Sequence, residues 1–90
     1  MFEVVRTKVF EAWLQEVEDR PAAVSINARI ARLSLGNFGD HKPISDGLSE
    51  LRIDKGPGYR VYYTRRGKTL IMLLIGGTAH RNETLNARLK

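Results

Sequence analysis

The strongest constraint on the fold is a change of hydrophobic period about halfway along the chain. Apolar residues recur at spacings of three and four before Gly36, which is typical of amphipathic helices. From Glu50 onward they alternate with polar residues, which is typical of strands. A polar, turn-rich stretch over residues 36–43 separates the two patterns. We therefore predict helices in the first half of the chain and strands in the second.

The first half predicts one short strand followed by two helices. Residues 2–6 are centred on the β-branched Val4 and Val5 and favour a strand. Thr7 suits the N-cap of a first helix, which ends before Pro21 because proline breaks one helix and can open the next. The second helix runs from about Pro21 to Leu35. Its predicted buried stripe is Ala23, Ile26, Ile30 and Leu33. A tight turn between the helices makes them an αα-hairpin.

The second half predicts three hairpin-connected strands. They lie near residues 51–53, over 59–65 and over 69–75, with turns between them, and such neighbours are antiparallel. The chain is then a single α+β domain over residues 1–90, in the order β-α-α-β-β-β, with an antiparallel sheet that includes the N-terminal strand. A short final helix near 83–89 needs docking to persist. The helical hairpin covers one sheet face. Alternation leaves the other face to Arg52, Arg60 and Tyr62.

Composition narrows the function classes. The 90 residues contain no cysteine, which excludes disulfides, thiolate metal sites and cysteine nucleophiles. The net charge of +5 lies entirely in residues 46–90, which favours a polyanionic partner, although solubility alone also explains a charge of this size. The longest apolar run, Leu70–Ile75, is too short to span a membrane, and no segment reads as an export signal. We expect a cytoplasmic protein with no membrane partner.

Residues 52–68 combine six basic side chains with three tyrosines. Basic groups that hold phosphates, interleaved with rings that stack on unpaired bases, are typical of single-stranded RNA binding. Arg65, Arg66 and Lys68 lie at a hairpin tip, where exposed charge needs no function. Arg52 and Arg60 lie inside strands, where a neutral residue would serve structure equally well. In addition to Arg52 and Arg60, the residues predicted to contact RNA are Lys42, Lys55, Tyr62 and Arg65.

Other chemistry has little support in the sequence. His41 lies in the turn-rich stretch, and His80 follows Gly76-Gly77 beside Arg81, where a strand end can present a reactive group. No set of histidines and carboxylates has metal-ligand spacing, so we predict no metal. Gly56-Pro57-Gly58 stands between strands rather than before a helix, which argues against a phosphate loop. We predict no cofactor.

Four motifs together resemble one known family. They are Phe38-Gly39-Asp40-His41-Lys42-Pro43, Ser49-Glu50-Leu51-Arg52-Ile53, Gly56-Pro57-Gly58-Tyr59-Arg60-Val61-Tyr62-Tyr63 and Leu73-Leu74-Ile75-Gly76-Gly77. In this combination they are similar to the HigB-like addiction-module killer proteins of the RelE/ParE toxin superfamily. The resemblance covers nearly the whole chain to Gly77 and implies a RelE-like fold, with two helices on one face of a sheet.

The resemblance also implies a function. Most members of the superfamily are toxins of type II toxin–antitoxin modules that cleave mRNA without a metal, often on the ribosome. A cognate antitoxin, here expected to be a small helix-turn-helix protein encoded next to the toxin, neutralises them. Arg60 matches an arginine that contacts the scissile phosphate, and Arg52 a basic position on the preceding strand. The alternatives are a toxin that binds DNA gyrase without catalysis and an inactive relative that only binds antitoxin.

The resemblance weakens after Gly77. The family continues there with an aspartate and a lysine, whereas this chain has Thr78-Ala79-His80-Arg81. We predict that His80 and Arg81 supply the missing basic group, so that the predicted catalytic residues are Arg52, Arg60, His80 and Arg81.

Overall fold

The structure is a computed structural model that describes residues 1–78, and this part of the chain contains two helices and five strands. In chain order the elements are β1 (Glu3–Arg6), α1 (Lys8–Glu16), α2 (Arg20–Ser34), β2 (His41–Ser45), β3 (Leu48–Ile53), β4 (Tyr59–Arg66) and β5 (Leu70–Thr78). The predicted α+β class is confirmed. The final helix predicted near 83–89 lies outside the described residues.

The five strands form one mixed sheet with the order β1-β5-β4-β3-β2. Strands β2 to β5 are antiparallel neighbours, as predicted for the hairpins, but β1 pairs in parallel with β5. A purely antiparallel sheet is therefore wrong. The reason is connectivity. The two helices carry the chain from β1 at one edge of the sheet to β2 at the other, and the antiparallel strands β2 to β5 then bring the chain back beside β1 in the same direction.

Strand β2 lies in the stretch that the sequence predicted to be turns. Its five residues are all exposed, and it pairs with β3 alone at the sheet edge. An edge strand tolerates Pro43, since a missing backbone N–H there removes no bond within the sheet. Periodicity could not predict β2, because a strand with no buried side has no alternating pattern.

Both helices begin with side-chain caps. The Thr7 hydroxyl accepts a hydrogen bond from the Phe10 backbone N–H at 3.2 Å and donates one to the Leu73 carbonyl at 2.7 Å. The predicted N-cap is confirmed, and it also ties α1 to β5. Asp19 caps α2 by accepting from the Ala22 N–H at 3.2 Å, with proline in the first turn. Ala22, rather than the predicted Ala23, is the buried alanine of α2.

The core lies between the helices and one face of the sheet. Its buried members are Phe10, Ala22, Ile26, Ile30, Leu33, Leu51, Ile53, Tyr59, Val61, Tyr63, Ile71 and Leu73. Trp13 packs directly over Gly76, where an added Cβ would lie less than 3.0 Å from the indole ring. Alternate residues of β3 and β4 consequently point away from the helices. No helix within residues 1–78 is long and apolar enough to cross a membrane.

Candidate functional site

The candidate site lies on the sheet face opposite the helices, which we call the polar face. It is the side of β2, β3 and β4 that carries Lys42, Glu50, Arg52, Arg60 and Tyr62. The strand register brings these residues together, with Glu50 paired to Tyr62, Arg52 to Arg60 and Lys42 to Glu50. Because side chains alternate along a strand, all five belong to the face that the core does not use. The predicted grouping of Arg52, Arg60 and Tyr62 on one face is confirmed.

The centre of the polar face is a buried carboxylate shared by two arginines. Glu50 Oε1 accepts from Arg52 Nε at 3.0 Å and from Arg60 Nη1 at 2.7 Å. The Glu50 side chain is only 4% exposed, whereas those of Arg52 and Arg60 are 37% and 23% exposed. The carboxylate therefore lies beneath two guanidinium groups that still reach solvent, and the cluster has one net positive charge.

Tyr62 lies beside this cluster but is completely buried. Its ring sits on a central strand, between Glu50 on β3 and Ile75 on β5. The prediction that this ring is exposed on the sheet surface is therefore wrong, and a buried ring offers no surface for stacking. Its hydroxyl has no hydrogen-bond partner within the described part of the chain. Burial raises the pKa of Tyr62 above its ordinary 10.0, the Glu50 carboxylate raises it further, and Arg60 opposes both.

The other predicted RNA contacts do not all join the polar face. Lys42 is exposed on β2, across from Glu50. Lys55 is exposed in the turn between β3 and β4. Arg65 lies on the opposite face, with its guanidinium carbon 4.7 Å from the Phe2 ring centroid and 5.3 Å from that of Phe38. This cation–π packing separates Arg65 from Arg60 and gives it a structural explanation.

His41 is not part of the described site. His41 is exposed at the start of β2, and its Nδ1 lies 2.9 Å from the Gly39 carbonyl oxygen. The predicted catalytic residues His80 and Arg81 lie outside the described residues.

The sequence missed two residues that shape the site. Glu50 was not among the predicted site residues; its spacing of two residues from Arg52, which puts both on one face of a strand, was the available signal. Arg29 of α2 was not among the predicted site residues either. It donates to the carbonyls of Arg52, Phe38 and Asp40, and so fixes the end of β3 and the loop before β2. Nothing in the local sequence indicates these long-range bonds.

This arrangement suits the recognition of an anion. A guanidinium group offers five N–H donors in a planar fork, and in the described structure Arg52 and Arg60 each donate one of them to Glu50. Donors therefore remain for a phosphate, the ligand that arginine binds with two parallel bonds. Among residues 1–78, no three His, Cys, Asp or Glu side chains lie together as metal ligands would.

Fold and site define a small α+β protein with a helical hairpin on one face of a five-stranded mixed sheet and an arginine–carboxylate cluster on the other. The chain matches no protein-family model. It is 48% identical over 75 residues to a protein of Haemophilus influenzae described as an uncharacterized protein. The match covers 83% of this chain and 76% of that protein. The chain belongs to the same family as this Haemophilus protein.

Proposed function

We propose that the protein is the toxin of a type II toxin–antitoxin module and that it cleaves mRNA on the ribosome. The observation that carries this proposal is the convergence of Arg52 and Arg60 on one carboxylate, on a sheet face left free by the helices. The four motifs that resemble the RelE/ParE toxins supply the expectation, and two of these motifs contain these arginines. The buried position of Tyr62 gives no support to a base-stacking role for its ring.

The chemistry proposed for this face needs charge stabilisation more than proton transfer. The 2′-hydroxyl of the RNA attacks the adjacent phosphorus, a P–O2′ bond forms and the P–O5′ bond breaks, which leaves a cyclic phosphate and a 5′-hydroxyl. The proton lost by the 2′-hydroxyl and that gained by the leaving oxygen are exchanged with water. Negative charge accumulates on the non-bridging oxygens, where the guanidinium groups of Arg52 and Arg60 stabilise it. The ribosome supplies much of the orientation of the strand.

The proposed regulator is a cognate antitoxin, a small helix-turn-helix protein encoded next to the toxin. A partly acidic segment of that antitoxin covers the polar face and competes with RNA for the same arginines. Opposite charge accelerates such an association and makes it sensitive to salt. We expect the association rate to fall when the ionic strength rises from low to physiological, and a rate independent of salt would contradict this assignment of the interface.

The test of the proposed reaction is mRNA cleavage in a bacterial translation extract, mapped by primer extension. The informative variant is Arg60→Lys, because lysine keeps the charge beside buried Glu50 but lacks the planar fork. Loss of one stabilising donor lowers the cleavage rate by roughly 10²- to 10³-fold. The matched control is Arg66→Lys, since Arg66 is exposed on the same side of the same strand. We expect this control to cleave at the wild-type rate.

Two results would overturn the proposal. If the wild-type protein leaves mRNA intact but inhibits DNA supercoiling by purified gyrase, the protein is a gyrase-binding toxin. If it does neither, and does not inhibit growth, it is an inactive relative that only binds antitoxin. If the Arg60→Lys and Arg66→Lys variants cleave mRNA at equal rates, the proposed mRNA cleavage stands, but Arg60 takes no part in it.

A further inference from the structure

Glu50 is an unusual residue to find between two proposed phosphate-binding arginines. It carries the one buried charge of the described chain, at 3% exposure, and its sign opposes the binding of RNA. A structural ion pair alone is a weak reason for such a carboxylate, because a buried pair often contributes little net stability relative to apolar side chains.

The strand register explains what the carboxylate does locally. Arg52 and Arg60 are directly paired across β3 and β4, an arrangement in which like charges repel. Glu50 stands one pair further along the same face, and its Oε1 reaches both guanidinium groups. The carboxylate therefore holds side by side two groups that would otherwise move apart.

We propose that Glu50 is a positioning residue that keeps the guanidinium groups of Arg52 and Arg60 directed at a single phosphate; this inference rests on the proposed function. The negative charge weakens the general attraction of the face for RNA. The same charge holds the two guanidinium groups in place before the reaction, so they need little reorientation when negative charge develops on the phosphate. Glu50 thus opposes binding and favours turnover.

The opposing effects give the Glu50→Gln variant a distinctive signature. Glutamine keeps the size of the side chain but removes its charge. RNA affinity, measured by fluorescence anisotropy on a 2′-O-methyl oligonucleotide at low salt, should rise by about fivefold, the effect of one unit charge at 4 Å in water. Single-turnover cleavage on ribosomes should fall by roughly 10- to 100-fold. The matched control is Glu3→Gln, the same charge change at an exposed position on β1, for which we expect wild-type cleavage.

Each other outcome contradicts the inference. Tighter binding with unchanged or faster cleavage makes Glu50 only a repulsive charge. Weaker binding together with slower cleavage makes its role structural. If Glu50→Gln does not fold, Glu50→Asp replaces it: this variant retains the charge and draws the carboxylate back by one methylene. We then expect slower cleavage with no gain in RNA affinity, and wild-type cleavage by Glu50→Asp overturns the inference.

A second measurement separates failure of this inference from failure of the proposed function. In ¹⁵N-arginine spectra of the wild-type protein, the Nε–H signal of Arg52 should be shifted and protected from exchange with water, because it donates to Glu50. In Glu50→Ala, which has no acceptor oxygen at this position, it should move toward the signal of exposed Arg66. An unchanged Arg52 signal refutes the positioning role, whatever the protein cleaves. A shifted signal in a protein that cleaves no RNA refutes the proposed function alone.

Discussion

Replacement of Tyr62 by phenylalanine should make the protein more stable. The Tyr62 side chain is completely buried, and its hydroxyl has no hydrogen-bond partner in the described part of the chain. An unsatisfied buried hydroxyl has lost its bonds to water without replacement, which costs about 1–3 kcal/mol of folding free energy. Phenylalanine fills the same ring volume without this penalty. We expect the free energy of unfolding to rise by about 1 kcal/mol. This is the lower end of the range, because removal of the oxygen also loses its dispersion contacts.

The adjacent tyrosine provides the matched control. Tyr63 is also buried but belongs to the core on the opposite face, and its hydroxyl is not among the buried side-chain atoms that lack a partner in the described part of the chain. Tyr63→Phe therefore relieves no such penalty, and we expect it to leave the free energy of unfolding close to that of the wild type. Two chemically identical substitutions at neighbouring positions should therefore differ, with a gain in stability only for Tyr62→Phe.

Urea unfolding at pH 7, followed by fluorescence of the single tryptophan, measures both effects. For a domain of this size the denaturant slope is about 1 kcal/mol per molar urea, so Tyr62→Phe should raise the midpoint by about 1 M, whereas Tyr63→Phe should leave it near the wild-type value. A lower midpoint for Tyr62→Phe would show that its hydroxyl is bonded in solution. That result would refute the interpretation that the buried Tyr62 hydroxyl lacks a hydrogen bond.

Other changes test the packing of α1, the stability of the protein at high pH and the predicted catalytic roles of His80 and Arg81. Gly76→Ala should destabilise the protein by about 1–3 kcal/mol, because its Cβ meets the Trp13 ring, and a neutral effect in urea unfolding would show that α1 sits further from β5. Thr7→Ala should cost about 1–2 kcal/mol through loss of the helix cap, and wild-type stability would contradict the Thr7 bonds. Burial raises the pKa of both Tyr62 and Tyr63, so the unfolded chain loses these protons first; the contribution of these two tyrosines to stability should be constant below pH 10.0 and decline as pH rises above it, and the decline should be less steep in Tyr62→Phe. If His80 exchanges a proton during cleavage, His80→Gln should flatten the pH dependence of the rate between about 6 and 8, whereas Arg81→Ala should lower the rate at every pH.

Most of the fold was predictable because most of its elements have one buried and one exposed side. The α2 stripe of Ile26, Ile30 and Leu33 and the alternation along β4 follow from that asymmetry. The N-cap at Thr7 follows instead from the acceptor that its hydroxyl offers to a free backbone N–H. Strand β2 was not predictable, since it is exposed on both sides. The parallel pairing of β1 with β5 was also missed, because it joins the two ends of the described chain and leaves no local pattern.

For the candidate site, the sequence predicts which residues share a face of the sheet, but not how deeply each is buried or which bonds it makes. Alternation placed Arg52, Arg60 and Tyr62 together, but it carries no information about depth, so Tyr62 was expected at the surface and is buried. The Arg65 prediction rested on its neighbours in sequence, and alternation from Arg60 assigns it to the other face. The bonds from Glu50 to two arginines depend on the register between β3 and β4, which the sequence does not specify residue by residue.

The distribution of unfavourable features is an argument for function that does not depend on family resemblance. The helix-covered face has a continuous apolar core, and its one departure from the ordinary rules among the described residues is the buried Thr78 hydroxyl, which lacks a hydrogen-bond partner there. The polar face pairs Arg52 with Arg60, buries the charge of Glu50 and leaves the Tyr62 hydroxyl without a hydrogen-bond partner among residues 1–78. The register of β4 against β5 also shifts next to Tyr62, where Leu74 is an extra residue. Sequences tend to break the rules of stability at functional sites and keep them elsewhere. Since these features concentrate around one cluster, that cluster is the part of the described chain most directly explained by binding or catalysis.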